Sequence, residues 1–406
     1  MRILAAAAAA ALVMIGAAEA RTWRIRPGAE AEQQLQTALI EARPGDTVQL
    51  GRGRFELTTG LSLDVDRVTI RGEGEQRSVL SFTGQRRGAE GLLITSDQVT
   101  LRDFAVENAR GDAIKARDCN GIHIREVRVE WTGGPNPNNG AYGLYPVNCD
   151  NVLIERSIAR GASDAGIYVG QSRNIIVRDN IAEYNVAGIE IENSFNADVF
   201  GNTATHNTGG ILVFDLPGLP QKGGHDVRVF ENRIVANDTP NFAPAGNIVA
   251  GVPTGTGVLI MANRNVHVFD NDIADNGTVN VLVTSYRNEF EDREYNPIPR
   301  DVVIRDNRFG NTGFAPAGDL AALAQMGVPI PDVIWDGATL FSVGGAPRTE
   351  SVRLVVRDNT STRTGQSTFL SLGLPVAGSP LSEAAPDPTP PPLLEVAEPE
   401  EVRIRD

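Results

Sequence analysis

The chain has 406 residues, 37 Lys and Arg against 51 Asp and Glu, and a formal net charge of −14. An acidic chain of this kind repels nucleic acid and anionic membranes, and it disfavours a polyanionic substrate unless a local cationic patch or a metal offsets the field. Gly is abundant, at 42 residues, and helix-period segments are scarce, which suits many short strands joined by tight turns.

In chain order, residues 1–20 read as a signal peptide. A short basic start with Arg2 leads into an alanine-rich apolar run that ends at Ala18-Glu19-Ala20, an A-x-A cleavage signal before Arg21. The run is too short and badly flanked for a membrane span. The mature protein is therefore expected to be exported, to a periplasm or beyond, and no later segment reads as a span. Residues 21–58 read as an N-terminal cap. Within it AEAEQQLQTALIEA (29–42) places Leu35, Leu39 and Ala42 on one helical face and stops at Pro44-Gly45-Asp46, with the strands VQL and RFEL following.

Residues 59–375 are dominated by self-similarity. NIIVRDNIAEYNVAGIEIE, from Asn174, recurs 22 residues on as NADVFGNTATHNTGGILVF, from Asn196. The phrase returns as DVRVFEN (226–232), NVHVFDN (265–271), DVVIRDN (301–307) and LVVRDN (354–359), with degenerate copies from 97, 120 and 151. Each repeat holds about three short strands of period-two alternation and is too short to bury a face alone. Stacked coils with one continuous core, a right-handed parallel β-helix, fit best. Asn180, Asn202, Asn232, Asn271, Asn307 and Asn359 then read as a turn ladder, hydrogen-bonded up and down the stack. DLAALAQM (319–326) is a short helical insertion, and 376–406 is Pro- and Glu-rich and reads as a disordered tail.

Cys119 and Cys149 are the two thiols. They fall one coil apart, a spacing of roughly 4.8 Å along the stack that suits a disulfide; two small buried side chains is the alternative. Two cysteines make no zinc site, no metal-binding motif is present, no cofactor is evident, and a calcium ion stays open.

Aligning the coils on the strand that begins near Ala113, Gly143, Gly166, Gly188, Gly210 and Gly257 puts Ile114, Leu144, Ile167, Ile189 and Ile211 toward the core. The alternate residues then face outward. One outward file reads Lys115, Tyr145, Tyr168, Glu190, Leu212, Leu259; the next reads Arg117, Val147, Gly170, Glu192, Phe214, Met261. Long insertions at 131–142, 215–225 and 238–255 flank this strand and are expected to wall a groove, with Trp131, Phe214 and Phe242 available for stacking. Outward polar and aromatic side chains on a β-helix also have purely structural reasons to exist.

The phrases GDAIK (111–115), EWTGGPNPNNGAYGLYPV (130–147), ASDAGIYVGQS (162–172), NVAGIEIENS (185–194), GGILVFDLPGLPQKGGH (209–225) and GVLIMANRN (257–265) together resemble the exported bacterial parallel β-helix repeat proteins, within the pectin-lyase-like superfamily. The resemblance runs from about 40 to 310 and implies a right-handed β-helix and an exported location. The wider superfamily implies carbohydrate handling as lyase, hydrolase or epimerase, a warrant of fold analogy only. Polygalacturonase-like enzymes carry GHG and RIK motifs, where this chain has GGHD (223–226) and AIK (113–115), and no pectate-lyase-like WIDH segment occurs. No catalytic set transfers residue by residue.

Two enzyme readings follow. A lyase or epimerase needs a base, an acid and a cation for the uronate; Tyr145 or Tyr168 would move the proton and Lys115 with Arg117 would hold the carboxylate. A glycoside hydrolase needs two carboxyls; Glu190 and Glu192 lie roughly 6.6 Å apart along one strand, near the inverting range of about 6.5–9.5 Å, with Asp164 and Asp215 as further acids. The alternative is a non-catalytic envelope scaffold that binds a glycan or a partner protein. A metal-delivery role is disfavoured by four scattered histidines, His123, His206, His225 and His267. The expected partner is a polysaccharide or an envelope protein, with no nucleic acid, no membrane span, and a monomeric protein.

Overall fold

The computed structural model describes residues 20–344, 346–373 and 386–404. The signal peptide expected at 1–20 lies, except for Ala20, outside the described residues. So do 374 and 375 at the end of the expected solenoid, and 376–385, 405 and 406 of the expected tail.

The described chain is a right-handed parallel β-helix. Successive coils build three sheets of 12, 11 and 12 strands, parallel except where Gly365–Gln366 closes the third sheet antiparallel to Thr360–Ser361, with a small antiparallel hairpin (Leu340–Val343 with Ala346–Thr349) appended. The physical cause is the period-two pattern. In the second sheet Ile114, Leu144, Ile167, Ile189, Ile211, Val258 and Val281 pair in register from coil to coil, and all are fully buried inside the solenoid. A one-residue slip would turn that column to the outside, so the core fixes the register. The first sheet starts at Thr22–Ile25, which pairs with Thr47–Leu50, so the solenoid begins within the segment read as a cap. The cap proper is the helix Ala31–Glu41, which lays Leu35, Ala38 and Leu39 over the open end. A second helix, Asp319–Gln325, stands where a helical insertion is expected.

The asparagine ladder is continuous. Asn180 Nδ2 donates to Asn202 Oδ1 at 2.9 Å, and the same contact repeats from Asn202 to Asn232, Asn232 to Asn271, Asn271 to Asn307 and Asn307 to Asn359 at 2.9–3.0 Å. Each of these carboxamides also donates to a buried backbone carbonyl, as Asn202 does to Val177. A second ladder, Asn185–Asn207–Asn237–Asn276, runs beside it at 3.0 Å per step. Its signal is present in the sequence as an asparagine five residues after Asn180, Asn202, Asn232 and Asn271. Cys119 and Cys149 are joined as a disulfide across adjacent coils.

The C-terminal segment departs from the expectation of a disordered tail. Ser371 and Asp387 exchange backbone hydrogen bonds at 2.8 Å. Leu393–Glu398 then lies against Val303, Val355, Arg305 and Arg357. Glu398 pairs with Arg305 at 2.7 Å and Arg228 at 3.4 Å, and the Val402 N–H donates to Asp198 at 3.0 Å. The reason lies in the first sheet. Its outward column runs Leu153, Ile176, Asp198, Arg228, His267, Val303, Val355, a polar and charged middle between apolar ends, and it matches the strap's leucines, valines and Glu398. Composition alone reports a Pro- and Glu-rich stretch without its partner surface.

Candidate active site

The strand pairing reproduces both outward files of the second sheet. Lys115 pairs with Tyr145, Tyr168 with Glu190, Glu190 with Leu212, and Leu212 with Leu259; Gly170 pairs with Glu192 and Glu192 with Phe214. Facing outward does not mean facing water here. Loops 215–224, 238–255 and 285–299 fold over the middle coils, and Glu190, Asp164 and Glu192 are only 2%, 6% and 8% exposed.

A cavity of about 420 Å3 opens above them, within the ~300–1,000 Å3 range of ligand pockets. Asp164, Glu190, Glu192 and Tyr142 line it, with Leu216, Pro217 and Leu219 on one side, Gly246, Asn247, Ile248 and Val249 on another, and Tyr286 closing it. Asn247 donates its side-chain N–H to Asp164 Oδ2 at 3.0 Å, and the Tyr142 hydroxyl donates to the same carboxyl. Tyr168 donates to Glu192 Oε1 at 2.6 Å. Among the described residues no amide, hydroxyl or cationic donor reaches Glu190 Oε2. The Glu190 and Glu192 carboxyls lie side by side, and protonation of either lets it donate to the other.

Electrostatics follow from that crowding. Burial, then the charges of Asp164 and Glu192, holds the Glu190 carboxyl far above the usual range. Burial, with Glu192 beside it, pushes Asp164 up to about 7. Burial also pushes Glu192 up to about 7, against the lowering effect of the Tyr168 hydroxyl. Like carboxyls in one dry site cannot all ionise, so at neutral pH the cluster keeps protons that ordinary carboxyls lose. Among the described residues no Lys or Arg lines the cavity.

The expected site residues divide. Asp164, Glu190, Glu192 and Tyr168 come together. Tyr145 packs beside them, its ring 5.0 Å from Tyr168 and 4.4 Å from Tyr142. Lys115 lies over the Tyr145 ring at 4.6 Å, but it is held by Asp112 at 3.6 Å and Glu90 at 3.8 Å and is no free cation for a substrate. Arg117 is half-exposed beside Asp118 and does not reach the cavity, because its strand lies three coils before that of Glu192 in the same file. Trp131 is no groove platform: it is buried in the main core and its indole N–H donates to the Ala109 carbonyl at 2.7 Å. The 131–142 loop folds back on the solenoid around it, giving the cavity only Ala141 and Tyr142.

Phe214 is fully buried with Leu212, Leu259 and Met261 beneath the roof loops. Asp215 clasps its own loop, accepting the Gly224 N–H at 2.8 Å and the Gly223 N–H at 3.3 Å, while its backbone carbonyl accepts the Tyr295 hydroxyl at 2.5 Å. The residues sequence reasoning missed are Tyr142, Asn247, Tyr286 and Tyr295. Tyr142 had a signal, one residue before the aligned glycine, as Asp164 is two before its own. Nothing in the sequence places the 285–299 loop over a coil several turns away.

Fold and pocket together define a class, a right-handed β-helix with a roofed carboxyl cavity on one outer sheet. Residues 70–218 match the family model for the right handed beta helix region. The fold is similar to that of the A-module of the mannuronan C-5 epimerase AlgE4 of Azotobacter vinelandii, with a TM-score of 0.60 and 18% identity over 82% of this chain and 84% of that one. It is also similar to the AlgE6 A-module of the same organism, with a TM-score of 0.54 and 16% identity over 87% of this chain and 92% of that one. No curated protein matches the chain in sequence. At these identities the likeness carries the fold.

Proposed function

We propose that the protein is an exported carbohydrate-active enzyme, and in particular a glycoside hydrolase acting on a neutral glycan. The observation that carries this reading is the gathering of Asp164, Glu190 and Glu192 from two adjacent coils at the floor of one cavity, where burial favours the protonated form of Glu190. Hydrolysis needs a carboxyl that is still protonated near neutral pH beside one able to ionise. In this reading Glu190 gives its proton to the departing glycosidic oxygen as the bond to the anomeric carbon breaks. A water oxygen bonds to that carbon, and its proton passes to Asp164, which Asn247 and Tyr142 hold in place. Glu192, fixed by Tyr168, holds the Glu190 proton in position. Tyr142 and Tyr286 supply aromatic surface for a sugar ring.

Lyase or epimerase chemistry on a uronate has less support. Tyr145, Tyr168 and Lys115 do form a file, but among the described residues the cavity is lined by three carboxyls and by no cation to neutralise a substrate carboxylate. The activity of the two similar structures, mannuronan C-5 epimerisation, supports only the broader carbohydrate class. Export is supported by the disulfide, which persists in oxidising compartments. The test is purified mature protein on neutral and uronate polysaccharides. New reducing ends, abolished in Glu190→Gln, are expected; unsaturated-uronate absorbance without reducing-end release from neutral glycans would replace hydrolysis with elimination.

A further inference from the structure

We infer that the site takes the free end of a glycan chain and releases one or two sugar units from it, rather than cutting within a chain. The inference rests on the proposed function and concerns which substrates its cavity admits.

A site that cuts inside a chain must leave room for sugars on both sides of the broken bond. Along this solenoid the room exists on one side only. Toward the N-terminal coils the outer file is Tyr145 and Lys115, both half-buried, then Leu93 and the exposed Ser62. Tyr142 offers ring surface there in the cavity wall, and the half-buried Tyr145 ring continues it 4.4 Å away. Toward the C-terminal coils the same file becomes Leu212 and Leu259, and the parallel file becomes Phe214 and Met261, none of them more than 9% exposed. Val249, Val252, Tyr286 and Tyr295 pack onto these four and fill the space a continuing chain would need.

The obstruction is braced. Asn193 ties the 215–224 loop down, accepting the Leu216 N–H at 2.8 Å and donating to the Leu216 and Gln221 carbonyls at 2.9 Å. Asn241 donates to the Val249 and Val252 carbonyls at 2.9 and 3.0 Å, closing the second loop on itself. Lys222 pairs with Asp292 at 2.8 Å and Tyr295 bonds the Asp215 carbonyl, joining the first loop to the 285–299 loop. Three roof loops thus support one another, and buried apolar packing with satisfied backbone groups is the opposite of a weakly held lid. A cavity of about 420 Å3 with a blind end holds a terminal unit or two, while the rest of the chain leaves over Tyr145.

The test is the product profile of the full mature protein on a neutral polysaccharide that it degrades, and on end-labelled oligosaccharides of the same linkage. Mono- or disaccharides from the first minutes, with viscosity falling late, are expected. Tyr145→Ala should raise KM on long oligosaccharides about tenfold more than on the shortest ones, a stacking loss confined to the exit side. Ile248→Ala with Leu216→Ala should widen the mouth and lengthen the products. Mid-chain cleavage with an early viscosity drop, in a protein whose activity still depends on Glu190, overturns the inference and leaves the hydrolase reading standing. Turnover of no glycan overturns both.

Discussion

The Tyr168 hydroxyl donates to Glu192 Oε1 at 2.6 Å from one coil to the next, with both side chains on the outside of the sheet and both sealed beneath the roof loops. The bond joins a residue type with no charge at neutral pH to a carboxyl whose own burial opposes ionisation. It is the strongest stabiliser of the Glu192 anion within the cluster, since burial and Asp215 act the other way.

Removing that donor should therefore raise the Glu192 pKa further. Tyr168→Phe is expected to keep the fold by circular dichroism, cost roughly 1–2 kcal/mol of stability, and lower kcat at pH 7 by about 10-fold or more. A kcat unchanged across the pH range would remove Tyr168 and Glu192 from the mechanism.

The charge on Asp164 is the second cause, after burial, of the elevated Glu190 pKa. Asp164→Asn should lower it. In the pH–rate profile the loss of the Glu190 proton sets the alkaline limb, so that limb should move to lower pH, and the residual rate should fall by about 100-fold or more because the base is gone. A limb that stays in place or moves upward contradicts the assignment of Glu190 as acid.

The same cluster affects stability with a definite sign. Its carboxyls have folded pKa values raised above the unfolded ones, so the folded state holds protons that the unfolded chain releases above about pH 4. The contribution is full below that pH and is lost as pH rises to about 7. Glu190→Gln should abolish activity while raising Tm at pH 8, with little change at pH 4. Each pKa unit removed is worth ~1.4 kcal/mol. Thermal melts at the two pH values decide it; equal shifts at both would show that the cluster is not titrating as argued.

The ladder offers a test of the scaffold. Asn202→Ala strips the Asn180 backbone N–H and the Val177 carbonyl of their buried partners. At ~1–3 kcal/mol for each unsatisfied group, a loss of roughly 3 kcal/mol or more is expected in denaturant melts. A loss under about 1 kcal/mol would mean that water replaces the carboxamide.

The C-terminal strap should add measurable stability. Deleting residues 386–406 uncovers Val303 and Val355 and unpairs Glu398 from Arg228 and Arg305. A loss of roughly 2–4 kcal/mol is expected from the apolar cover, while Glu398→Ala alone, a half-exposed pair, should cost about 1 kcal/mol or less. Unchanged melting after the deletion would show the segment to be free in solution.

How much of this was legible in the sequence depends on the range of the interaction. The coil length, the inward column from Ile114 to Ile211, the asparagine ladder and both outward files are repeats of local pattern. In a parallel β-helix each residue's neighbour is the same residue one repeat on, so a sequence alignment of the chain against itself already gives the contacts. That places Tyr168 and Glu190 in one outward file and Glu192 in the file beside it. It did not show that outward meant buried. The roof is made by loops that share no period with the coils and meet through pairs far apart in the chain, Tyr295 with Asp215 and Asn247 with Asp164. The same holds for Trp131, which composition offers as a surface ring and packing draws into the core, and for the strap, whose partner surface is assembled from seven coils. The repeat determined where Glu190 and Glu192 point. Only the tertiary structure decided that they point into a dry cavity, because water is excluded there by segments that the repeat does not encode.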